Sequence, residues 1–135
     1  MNEPWLSGEK LHKGFPLLLR KPAEINYAHL PPTLLTIVQH LERTKPNGLP
    51  EPDYNDTLAD FDHEITNYIS KRCGRMVLIE TFGHKRSYYC YCNSKVSPEA
   101  MKQHFHNKYP LIHLEFSNHP DPGAKFIRQY AKEHF

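Results

Sequence analysis

The strongest constraint on this chain is the order in which its apolar runs change period. Residues 33 to 41 are short, apolar and β-branched at Thr33, Thr36, Ile37 and Val38, which favours a strand. Residues 53 to 71 carry Tyr54, Leu58, Phe61, Ile65, Tyr68 and Ile69 on one helical face, with Asp53 as the expected N-cap. Residues 75 to 81 and 86 to 92 read as a β-hairpin joined at Phe82-Gly83-His84-Lys85. Ser97-Pro98 opens a helix to about residue 107, and residues 111 to 116 form another strand. Asp121-Pro122 then begins a terminal helix that buries Phe126, Ile127 and Tyr130.

Ahead of these, Leu17-Leu18-Leu19-Arg20 between prolines reads as a strand near a sheet edge, and residues 1 to 13 as a loose leader. The resulting order predicts an α+β fold, a ferredoxin-like βαββαβ two-layer sandwich with an extra N-terminal strand and a C-terminal helix. A leader over 1–13 would precede a single domain over 14–135, and 135 residues suffice for one core without staples.

Seventeen basic and fifteen acidic residues give a formal +2 with no charge block, so nothing demands nucleic acid. No apolar run approaches the roughly 20 residues that span a bilayer. Cys73, Cys90 and Cys92 lack the spacing of a secreted disulfide framework, which favours a reducing, cytoplasmic setting.

No catalytic motif stands out. Gly-x-Ser-x-Gly and phosphate-binding loops are missing, and Cys73 with a remote histidine is the only nucleophile pairing to consider. Cys90 and Cys92 lie about 6.5–7 Å apart along an extended strand, awkward for zinc, while His104 and His106 point to different sides of a helix. No metal or cofactor is expected. Asp60, Asp62 and Glu64 read as a solvated helical arc.

Three blocks, Gly14-Phe15-Pro16-Leu17-Leu18-Leu19-Arg20, Asn47-Gly48-Leu49-Pro50 before the helix with Leu58 and Phe61, and Thr81-Phe82-Gly83-His84-Lys85-Arg86, appear in order. In these the chain resembles the bacterial domain-of-unknown-function family 695 over roughly residues 14 to 133. His84-Lys85 stands where a second glycine is often seen in the family, and Lys125-Phe126 where tryptophan is common. The resemblance implies a strand at 33–41 and no enzyme. Similar domains are joined to a module resembling regulator B of ribonuclease E activity, which implies regulation through protein binding.

Two surfaces follow. The hairpin places His84, Lys85 and Arg86 where an acidic partner can reach them, and its second strand offers Tyr88, Tyr89 and Tyr91. If Val77, Ile79 and Thr81 face the helices, then Met76, Leu78 and Phe82, with Leu34, Val38 and Leu111, form a second apolar face that the leader, a second copy of the chain or another protein would cover. The reading is a non-enzymatic, cytoplasmic protein-binding or regulatory module, whose partner is an unknown protein or a second copy in a homodimer. A single-stranded RNA-binding module using Tyr88, Tyr89 or Tyr91 comes second, and a small enzyme with an unrecognised site third.

Overall fold

A computed structural model describes residues 4–72, 74–93 and 97–135. Six strands form one antiparallel sheet: β1 (Trp5–His12), β2 (Phe15–Pro22), β3 (Thr33–His40), β4 (Gly74–Phe82), β5 (Lys85–Cys92) and β6 (His113–Pro120). Their spatial order is β1-β2-β4-β5-β3-β6. Four α-helices accompany them among the described residues: α1 (Pro52–Thr57), α2 (Ala59–Arg72), α3 (Pro98–Lys108) and α4 (Lys125–His134). The chain is therefore α+β.

The sheet has helices on both faces, so the expected two layers become three. Phe61, Ile65 and Ile69 of α2 and Met101 and Phe105 of α3 pack on Leu35, Ile37, Met76, Ile79, Tyr88 and Cys90. On the reverse face Ile127 and Tyr130 of α4 pack on Leu17, Leu19, Leu34, Val77, Leu78 and Tyr91. The second apolar face is thus covered by α4, and neither a leader nor another chain is needed to keep it dry.

The expected face assignment fails at one step of β4. Ile79 lies on the α2 side and Leu78 on the α4 side as expected, but Met76 and Val77 are exchanged. A register shift between Met76 and Leu78 is the cause, because a bulge resets the two-residue alternation of side chains. Leu111 belongs to neither face; it is 85% exposed in the turn before β6.

Residues 5–12 are not a loose leader. They form β1, paired residue for residue with β2 from Trp5↔Pro22 to His12↔Phe15. Lys13 and Gly14 both take positive φ, the conformation of a two-residue hairpin turn whose twist matches the strands. As a result β2 is an inner strand, and β1 is the edge.

The long helix breaks at Leu58 into α1 and α2. Glu51 is the N-cap, without a side-chain cap bond, and Asp53 falls within the first turn. Ser97 caps α3 as expected, its hydroxyl accepting from the Ala100 N–H at 3.2 Å. The last helix begins at Lys125, three residues later than Pro122 suggests, and Asp121 still caps it by accepting the N–H groups of Lys125 and Phe126.

Candidate functional site

The β1–β2 hairpin widens the sheet past the body of α2, whose Asp62 reaches out to Arg20 of β2. Over that margin opens a cleft of about 670 Å³, walled by Ser7, Gly8 and Glu9 of β1 and by Asn55, Asp56 and Ala59 at the α1–α2 junction. Its floor is Leu18, Arg20, Ile79, Thr81 and Arg86. A cleft of this size suits a small ligand.

Two arginines define its electrostatics. Arg20 donates to both carboxylate oxygens of Asp62, at 2.9 and 2.6 Å, and Asp62 also accepts the Tyr88 hydroxyl at 2.9 Å. Burial alone would raise the Asp62 pKa, but the hydrogen bonds and charge of Arg20, the Tyr88 bond and the charge of Arg86 outweigh it and hold the carboxyl below its ordinary range. Burial and the adjacent carboxylate push the Tyr88 hydroxyl the other way, far above the ordinary phenol range. Asp62 is locked as an ion.

Arg86 is set differently. As a residue it is 7% exposed, and its guanidinium donates through Nε to Thr81 Oγ1 at 3.1 Å and through Nη2 to Asn55 Oδ1 at 2.7 Å. Both acceptors are uncharged. Among the described residues no carboxylate lies within 4 Å of it, although the field of Asp62 is felt across the floor. A guanidinium withdrawn from water without an ion partner is costly unless an anion meets it.

The other residues singled out in the sequence scatter. His84 sits at the hairpin tip with φ of 69°, tied by Thr44 Oγ1 to its Nδ1 at 2.6 Å and by its own N–H to the Gly48 carbonyl at 3.0 Å. Lys85 is exposed, and Arg86 points away from the tip into the cleft. Tyr88 and Tyr91 are fully buried on opposite faces, and Tyr89 stacks on Phe126 of α4 with centroids 4.7 Å apart. Strand alternation separates what sequence adjacency had grouped.

Cys90 and Cys92 lie in the core under α2 and α3, while His104 faces Glu64 across the outer side of those helices. Among the described residues, Cys90 and Cys92 form no common ligand cluster with His104 and His106. Cys73 lies outside the described residues. Asp62 and Glu64 are not a solvated arc: Glu64 accepts Tyr109 at 2.7 Å and pairs with Lys108 at 2.7 Å, because α3 packs along that flank of α2.

Sequence reasoning missed Glu9, Arg20, Asn55 and Asp56 as neighbours. The signal that would have joined them was the Lys13-Gly14 turn, since only a hairpin there brings β1 beside the helix junction. No protein-family model matches this chain, and no significant match is found among curated proteins or solved structures.

Proposed function

We propose that this chain is a non-enzymatic binding module whose cleft over β1 and β2 takes a small zwitterionic ligand of the amino-acid or dipeptide class. The observation that carries the reading is Arg86, buried at the cleft floor with only uncharged acceptors. Arg20 and Asp62 neutralise each other, which leaves Arg86 inside and the carboxylates of Glu9 and Asp56 at the exposed wall. An anionic group belongs against the guanidinium fork and a cationic group against the wall. The commitment of Asp62 to Arg20 and Tyr88 supports binding over proton transfer.

Calorimetric titration of the full chain with a panel of amino acids and dipeptides tests this. Saturable binding is expected, weakened about tenfold or more in Glu9→Gln/Asp56→Asn, whose side chains are exposed and whose loss leaves the thermal midpoint unchanged. Binding absent across the panel, or indifferent to that double variant and to Arg86→Lys, overturns the proposal.

The βαββαβ core is inferred to be ferredoxin-like. Its support is the neighbour order β4-β5-β3-β6 and the shared face of α2 and α3, with β1–β2 added at the β4 edge and α4 on the reverse. Kinship with domain-of-unknown-function family 695 is part of the same proposal, supported by the docking of two of its blocks on one another: the Gly48 carbonyl accepts the His84 N–H. A regulatory role in the cytoplasm, with a protein partner or a second copy of the chain, rests on composition and cysteine usage. RNA reading needs exposed rings, and Tyr88 and Tyr91 are buried while Tyr89 is stacked on α4.

A further inference from the structure

We propose that His40, His113 and Glu115 form a binding site for a divalent first-row transition ion of the zinc class. The site lies on the sheet face opposite the cleft, at the corner where β3 meets the edge strand β6. His40 and His113 are direct cross-strand partners, and Glu115, partner of Val38, is two residues on from His113. Residues directly opposite and at alternate positions share one face, so all three side chains rise from the same side of the sheet.

Their geometry converges. One ligand atom from each side chain lies within 4.8 Å of the other two. The imidazole rings of His40 and His113 have centroids 4.7 Å apart, and His40 Nε2 lies 3.1 Å from Glu115 Oε2. His40 Nε2 is shielded from solvent, and the Glu115 carboxylate is the group that faces it. Donors at roughly 2.0–2.2 Å from a tetrahedral ion stand about 3.3–3.6 Å apart. Side-chain rotations that move each ligand atom on the order of 1 Å therefore close the set.

Two imidazoles and a carboxylate are the donors that zinc, copper and nickel prefer over calcium or magnesium. Three protein ligands leave an open position for water or an external donor. The corner is accessible: the side chains of His40 and Glu115 are 31% and 63% exposed. Among the described residues no hydrogen bond, ion pair or ring contact ties α4 to these three, whereas α4 holds Tyr89, Tyr91 and Glu80 further along the sheet. Lys85, cross-strand from His40, is the charged neighbour, and its exposed chain is free to swing outward when a cation enters.

Zinc titration of the full chain, followed by calorimetry and by amide chemical shifts, decides the matter. One equivalent is expected to bind with shifts centred on residues 38–40 and 113–115. His113→Ala and Glu115→Ala, both at exposed positions of an edge strand, should each weaken binding about tenfold or more, since even residues supporting a metal ligand are worth that much. His63→Ala on α2 should leave affinity unchanged. Absence of binding at millimolar zinc, shifts centred elsewhere, or equal losses in His63→Ala and His113→Ala overturn the assignment.

Discussion

At the scale of single residues, the chain ties its layers together by one repeated device, a tyrosine hydroxyl donating to a carboxylate. Tyr88 reaches Asp62, Tyr91 reaches Asp121, Tyr109 reaches Glu64 and Tyr130 reaches Glu80, at 2.9, 2.7, 2.7 and 2.6 Å. Each bond joins a helix or its cap to the sheet or to another helix, and none was legible in the sequence, because partners sit 26 to 50 positions apart. Gln39 is the counterexample. It is fully buried on the α2–α3 face beside Arg86 and Leu114, and among the described residues both atoms of its amide lack hydrogen-bond partners. A buried polar group without a partner costs about 1–3 kcal/mol. Gln39→Met, nearly equal in volume, should therefore raise stability by about 1–2 kcal/mol in urea denaturation. A destabilised Gln39→Met variant would mean that the amide is satisfied in solution.

At the scale of elements, what the sequence made legible was local. Strand β3 followed from β-branched residues, α3 from Ser97-Pro98, and the β4–β5 hairpin from its glycine turn, each within a residue or two of its observed span. What it hid was set by distant partners: β1 exists because β2 offers it a ladder, and the exchange of Met76 and Val77 follows from a bulge against β5. Of the cleft, Arg86 was expected as a binding residue but at the hairpin tip, and Asp62 was expected on a solvated arc. The two conspicuous turns turn out to be one unit. Gly48 has φ of 91°, and a Cβ there would meet Gly83 backbone atoms at 3.1 Å. Gly48→Ala is expected to cost at least about 1 kcal/mol, from backbone strain together with separation of the two turns. Gly8, with nothing within 4 Å of its would-be Cβ, is the control. Thermal midpoints that fall equally in both variants would count against the docked turns as a stabilising contact.

At the scale of the whole molecule, the tyrosine–carboxylate pairs make stability a function of pH at both ends of the range. In Asp62 and Asp121 burial works to raise the pKa, but the hydrogen bonds they accept, joined at Asp62 by the charge of Arg20, bring it below the ordinary 3.8. Glu64 is lowered from 4.5 chiefly by its bonds from Lys108 and Tyr109. Lowered folded values mean that the unfolded chain binds these protons first, so their stabilisation is complete above about pH 5 and is lost as pH falls through the folded values. The tyrosines run the other way. Burial, with the neighbouring carboxylate, raises Tyr88, Tyr91 and Tyr130 well above the ordinary 10.0 and pushes Tyr109 up to about 12. Their contribution is complete below the unfolded value and disappears as pH rises past it toward the folded ones. The urea midpoint should accordingly form a plateau, with an acid limb below about pH 5 and an alkaline limb above about pH 10. Tyr91→Phe should lower the plateau and flatten the alkaline limb, since one group that resists ionisation only when folded has been removed. An alkaline limb of unchanged slope in that variant would place the titrating groups elsewhere.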